Sequence, residues 1–302
     1  MEKPILFPKP ELQYLMSLEY EVRETIDLGN RKQIQTIFDG TVKGTINGSV
    51  REGSGNWLET DVEGNVWLDG KYTIETEDKL IVPLDVNGIL TQDGKMKLRV
   101  ILHCGHKEYR HLNRNVVIAV GMVTGDIYRM DLYMLVDKAA QSNHNAFFEK
   151  PALEHLYYIH VKVGPILMAG SRPEGRHMVI PIQSGRFEGE QIQGNVANAG
   201  ADWNDMIVGV PMLSHVSTRY LLKTDDGAYI SLFTDGHMNM GIPGMLAMLK
   251  KQPDPLKTYF KQHLKFSTGD QRYSWLNGEI CVAIISPTPE QNICYDAYQV
   301  RI

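Results

Sequence analysis

Between Arg219 and Thr224 the chain alternates, with Tyr220, Leu222 and Thr224 on one side and Arg219, Leu221 and Lys223 on the other. A period of two marks a half-buried strand. The run Thr224-Asp225-Asp226-Gly227 is a tight-turn signal, and Ala228-Tyr229-Ile230-Ser231-Leu232 follows it, so this stretch predicts a hairpin. Val116 to Val123 and Ile280 to Ile285 are rich in Val and Ile and predict well-buried strands. A helix is predicted over Ile242 to Lys251, opening at Pro243 and ended by Pro253 and Pro255. Many short strands with glycine-rich turns predict an all-β, antiparallel barrel architecture. A barrel of about eight strands is just wide enough for one small ligand.

The pattern occurs twice. Gly40, Gly44 and Gly48 precede Asn56-Trp57, and Gly185, Gly189 and Gly194 precede Asp202-Trp203. Lys71-Tyr72-Thr73-Ile74-Glu75-Thr76 parallels Arg219-Tyr220-Leu221-Leu222-Lys223-Thr224. Gly105, Tyr109, Leu112 and Asn113 recur as Gly269, Tyr273, Leu276 and Asn277 with the same internal spacing. Asp131-Leu132-Tyr133 recurs as Asp296-Ala297-Tyr298. The chain therefore reads as one domain copied, residues 1–145 and 146–302, joined near the polar stretch Gln141-Ser142-Asn143-His144-Asn145. The helix belongs to the second copy alone.

Composition narrows the class without naming an activity. With 302 residues, 43% of them apolar, and a net charge of −5, the chain is an ordinary globular protein with room for two domains. The mildly acidic balance argues against nucleic acid and against a membrane as partner. The longest apolar runs fall well short of the roughly 20 residues of a membrane helix. The start Met1-Glu2-Lys3-Pro4-Ile5-Leu6-Phe7-Pro8 lacks the apolar core of a secretory signal. Cys104, Cys281 and Cys294 form no CxxC pair, and a reduced, cytoplasmic setting is expected.

The second copy resembles a known family. The motifs Gly200-Ala201-Asp202-Trp203, Arg219-Tyr220 with Leu222 and Thr224-Asp225-Asp226-Gly227-Ala228, Phe266 with Thr268-Gly269, and Tyr273 with Trp275-Leu276-Asn277 fall in the order of the DUF3237 family. The first copy resembles it in diverged form, with Asn56 for Asp202, Glu77-Asp78-Lys79 for Asp225-Asp226-Gly227 and His111 for Trp275. The resemblance implies tandem calycin-like, lipocalin-like barrels with a central pocket. It implies little chemistry, since the family carries no settled function; some tandem calycin-like proteins cyclise or isomerise hydrophobic intermediates without cofactors.

Candidate chemistry gathers on Asp202, Trp203, Arg219, Tyr220, Thr224, Tyr273 and Asn277. An inward aspartate in an apolar barrel is desolvated, which raises its pKa towards general acid–base work near neutrality. A neighbouring arginine lowers it again, or binds a ligand oxygen; Tyr273 and Asn277 are expected to donate to a developing oxyanion. The structural alternative pairs Asp202 with Arg219 as an ion pair closing the barrel end, with Tyr220 and Trp203 as core. His237, in the run Asp235 to Gly241, is expected on a mouth-side loop as a further acid or base, or in a Met-rich seam. Trp275, and Trp57 and Tyr72 of the first copy, join the binding candidates. His103-Cys104-Gly105-His106 with His111 invites a metal, but strand neighbours point to opposite faces, so none is expected.

No phosphate loop, dinucleotide fingerprint, nucleophile elbow or HExxH occurs, so no cofactor is expected. The leading expectation is a cofactor-independent isomerase, lyase or cyclase acting on a hydrophobic small molecule. The alternatives are a lipocalin-like carrier without chemistry and an interaction scaffold with filled barrels. Self-association into a homo-oligomer is left open.

Overall fold

A computed structural model describes residues 7–62, 64–140, 145–207, 213–254 and 257–302. The expected linker residues Gln141 to His144, the start Met1 to Leu6 and the helix-stopping Pro255 lie outside them.

The first barrel is an eight-stranded antiparallel meander: β1 (Glu11–Gly29), β2 (Lys32–Gly44), β3 (Gly48–Thr60), β4 (Val66–Thr76), β5 (Ile81–Leu90), β6 (Lys95–Leu102), β7 (Val117–Thr124) and β8 (Ile127–Val136). Pairing of β8 with β1 closes it. The second runs β9 (Ala152–Val163), β10 (Leu167–Arg172), β11 (Gly175–Glu188), β12 (Gln193–Met206), β13 (Leu213–Thr224), β14 (Tyr229–Asn239), helix α1 (Gly241–Leu249), β15 (Tyr259–Ser267), β16 (Cys281–Pro287) and β17 (Ile293–Arg301). Here β9 pairs with β11 and closes the eight strands, while β10 is an extra strand laid on β11. By contacts, Glu11–Ala152 form the unit of the first barrel, and Leu153–Arg301 that of the second, which also takes the segment ending at Pro10.

Alternation builds each interior. In β13 Tyr220, Leu222 and Thr224 are buried while Arg219 and Lys223 are exposed, so the hairpin and its facing are as predicted. Each fully buried aliphatic side chain contributes about 1.5–3 kcal/mol. The repeat glycines admit close strand crossings: a Cβ on Gly40 would lie 2.7 Å from that of Tyr20, and one on Gly185 only 2.4 Å from the carbonyl of His160.

One end of each barrel is plugged by a 3-10 segment, Arg110–Arg114 in the first and Gln271–Gly278 in the second. Leu112 and Leu276 enter the respective cores. Asn113 clamps the backbone of Cys104 with Oδ1 accepting at 2.9 Å and Nδ2 donating at 2.8 Å. Asn277 does the same to Thr268, at 2.8 and 2.9 Å. The closing aspartates are equally matched. Asp131 is buried and accepts from the backbone N–H groups of Phe147 and Phe148, at 3.1 and 2.9 Å. Asp296, also buried, accepts from that of Phe7 at 2.8 Å. Each barrel thus uses its aspartate to seat a short aromatic segment by the backbone.

Candidate functional site

The second barrel keeps a narrow pocket of about 30 Å³ towards the end opposite the 3-10 plug. That volume holds one or two waters. Its walls are aliphatic and aromatic, among them Val161, Val216 and Phe260, and its polar groups are Asp202, Thr218, Tyr220, Thr234, Gln262 and Tyr295.

Asp202 is brought inward by a bulge. The β12–β13 register slips between Val196 and Gly200, and Gly200 sits at φ +107°, where an added Cβ would lie 2.0 Å from the carbonyl of Arg219. Only glycine fits there, and the bulge re-aims the residues that follow. Asp202 then faces Thr218 across the ladder. Thr218 Oγ1 donates to Asp202 Oδ1 at 3.0 Å, and Asn204 Nδ2 donates to Oδ2 at 3.1 Å. Among the described residues no cation forms an ion pair with it. Desolvation therefore dominates and pushes its pKa from 3.8 up to about 6, against the lowering by the Thr218 and Asn204 hydrogen bonds and by the more distant His215.

Below Asp202 lies a hydroxyl relay of tyrosines. Tyr220 and Tyr295 share a hydrogen bond, and Tyr295 meets Tyr157 at 3.1 Å. Desolvation raises all three well above the ordinary tyrosine value, so they stay protonated. Gln262 is fixed on the other wall, accepting from Thr234 Oγ1 at 3.0 Å and donating to the Val216 carbonyl at 3.1 Å. The arrangement offers one carboxylate able to exchange a proton near neutrality, neutral hydroxyl donors and an apolar wall.

Of the sequence candidates, Asp202 and Tyr220 meet in this pocket, and the others stand elsewhere. Arg219 is turned outward by the alternation that turns Tyr220 inward; its guanidinium lies over the Phe233 ring at 5.2 Å, so no Asp202–Arg219 pair forms. Trp203 is on the outer face, as is Trp57 in the first barrel. Tyr273, Trp275 and Asn277 belong to the plug at the far end, where Tyr273 OH donates to Asp226 at 2.9 Å. Thr224 is buried in the turn beside them, bonded to Asp226 and Ala228. His237 is on strand β14 rather than a loop, its ring 5.2 Å from that of His215 and outside the pocket. His215 is itself held by Asp235 at 3.0 Å, which raises its pKa.

Sequence reasoning missed Thr218, Thr234, Asn204, Gln262 and Tyr295. A signal existed for two of them: Thr218 shares the face of Tyr220, and Gln262 is the one polar residue on the buried face Phe260, Gln262, Leu264, Phe266.

The first barrel shows the same rungs filled. Asn56 stands for Asp202 and faces Gly70. Tyr20, opposite Gly40, holds the place that Val161 holds opposite Gly185. Tyr128, three residues before Asp131, holds that of Ile293 before Asp296. Tyr20 and Tyr128 stack with centroids 5.0 Å apart. Tyr72, the binding candidate there, is buried and donates to Asn56 Oδ1 at 2.8 Å, and Tyr128 donates to Gln35 at 2.7 Å. His103, from the stretch weighed as a metal site, meets Asp85 at 3.1 Å.

Comparison with known proteins adds the following. The pattern described as "Protein of unknown function (DUF3237)" matches residues 10–100 and 151–300, one stretch in each barrel. A UPF0311 protein of Rhodopseudomonas palustris (strain TIE-1) is 30% identical over 154 residues, 50% of this chain and 98% of the relative, whose length is thus one copy. Among solved structures, a beta-barrel like protein from Acinetobacter baumannii AYE is 32% identical, with 53% of this chain and 100% of that chain covered and a TM-score of 0.45. An enzyme from Penicillium herquei is 18% identical, with 52% and 100% covered and a TM-score of 0.40.

Proposed function

We propose, from the premise that this chain belongs to the DUF3237 family, that the second barrel is a cofactor-independent proton-transfer site for a small hydrophobic molecule. Asp202 takes or gives the proton. The observation that carries this is a carboxyl in an apolar barrel with two hydrogen-bond donors, no ion-pair partner among the described residues, and a pKa pushed to about 6. Unlike the carboxylates of the surface ion pairs, whose cationic partners lower their pKa, Asp202 faces the pocket with its pKa raised.

The roles of the other groups follow from position. The Tyr220 hydroxyl, neutral and preorganised, donates to oxygen charge that develops on the ligand, in the manner of an oxyanion site. Val161, Val216 and Phe260 hold the apolar body of the ligand. Proton abstraction from the carbon next to a carbonyl or from a phenol hydroxyl, followed by return of the proton elsewhere or by ring closure, is the reaction class these groups serve: isomerase, lyase or cyclase. A ligand larger than the resting pocket of about 30 Å³ enters by moving wall side chains. The first barrel, with Asn56 in place of the carboxylate and Tyr20 and Tyr128 in its space, is assigned no chemistry.

The experiment is exchange of carbon-bound hydrogen next to the carbonyl on a panel of hydrophobic ketones in D2O, read by mass spectrometry. The wild-type chain accelerates exchange for at least one member and Asp202→Asn does not. Equal rates for the two proteins overturn the assignment, and tight binding without exchange in either one favours the carrier.

A further inference from the structure

Helix α1 turns three large aliphatic residues away from the protein. At 100° per residue Ile242, Leu246 and Leu249 form one stripe. They are 62%, 48% and 75% exposed. The opposite side of the helix is seated by Gly244, where a Cβ would lie 2.7 Å from Thr258 Oγ1 and 3.1 Å from the Lys257 carbonyl. The helix therefore packs Gly244, with Met245 and Ala247 half-buried beside it, towards the segment that leads into β15, and shows the stripe to the surroundings. Exposed Lys250 and Lys251 follow directly. The helix leaves β14 at the pocket end of the barrel, and β10, laid on the same half of β11, exposes Leu167 and Met168 as well.

We infer that α1 docks the second barrel on the surface of an anionic phospholipid bilayer. Ile242, Leu246 and Leu249 enter the boundary between headgroups and acyl chains, and Lys250 and Lys251 meet the phosphates. Charge complementarity and size select this occupant. A stable protein interface takes roughly 600 Å² or more from each partner, more than three side chains on one face of a nine-residue helix offer, whereas a bilayer takes up a few apolar side chains beside a basic pair. The expectation of no membrane partner rested on the charge of the whole chain and on spanning length. Among the described residues no helix is long and apolar enough to cross a membrane, and surface docking requires no crossing. The proposed chemistry supplies the reason for such docking, since a hydrophobic ligand partitions into lipid, but the docking is tested without it.

The test is co-sedimentation of the full chain with vesicles of phosphatidylcholine alone and of phosphatidylcholine with 30% phosphatidylserine. Binding is expected to the second and to fall with added salt. The triple variant Ile242→Ser, Leu246→Ser, Leu249→Ser and the double variant Lys250→Glu, Lys251→Glu each weaken it tenfold or more. Thermal unfolding confirms that these exposed substitutions leave the fold intact. Asp202→Asn binds vesicles like the wild type, which separates this proposal from the catalytic one. No binding to the anionic vesicles, or binding unchanged in the triple variant, overturns it. A dimer in sedimentation velocity that the triple variant abolishes overturns it in favour of a second copy.

Discussion

Thr218 and Asp202 face each other across one rung of β12 and β13, with the threonine hydroxyl donating to the carboxylate at 3.0 Å. At the same rung of the first barrel Gly70 faces Asn56, and the hydroxyl comes instead from Tyr72. One duplicated scaffold thus holds a titratable group in one copy and a neutral one in the other.

That contrast predicts the effect of Asp202→Asn on stability. A folded-state pKa raised from 3.8 to about 6 means that the folded state binds more protons than the unfolded state between those values. Stability from this group is present below pH 4 and is lost as pH rises towards 6. The two-unit shift corresponds to about 3 kcal/mol at most. Asp202→Asn is expected to stabilise the second barrel by about 1–3 kcal/mol at pH 8 and to change little at pH 4. Urea unfolding at the two pH values checks this.

Thr218→Val removes a hydrogen bond that favours the charged carboxylate. The pKa of Asp202 should climb further, and the pH midpoint of proton exchange should move up by roughly one unit. Removal of the more distant Arg219, exposed over Phe233, should leave that midpoint where it is. A pH–rate profile for each variant separates the two cases.

The clamps on the plugs should be structural. Asn277→Ala frees the backbone N–H and carbonyl of Thr268, and Asn113→Ala those of Cys104. Each is expected to cost about 1–3 kcal/mol in its own barrel by chemical unfolding. Proton exchange at 25 °C should survive Asn277→Ala, because the plug lies at the end of the barrel away from Asp202.

These outcomes follow a division that the sequence shows only in part. The duplication, the strands and α1 were legible, because glycines at strand crossings and alternating apolar residues are local constraints. The recurring Tyr, Leu and Asn of the plug were equally legible, but recurrence reports what both copies need, which is closure. Tyr273, Trp275 and Asn277 therefore looked like a site and form an end cap. The pocket is built where the copies differ, at Asn56 and Asp202, Tyr20 and Val161, Tyr128 and Ile293. Arg219 could have been excluded from sequence, since alternation sets it opposite to Tyr220. The facing of Asp202 could not, because the β-bulge at Gly200 breaks the count along β12.

The most direct test is the ionisation of Asp202 itself. Carbon-13 NMR of the aspartate carboxyls, with Asp202→Asn as the assignment control, should show one carboxyl titrating near pH 6 that vanishes in the variant. A midpoint for Asp202 near 4, in the range of an exposed aspartate, would contradict the poised acid–base group on which the account rests.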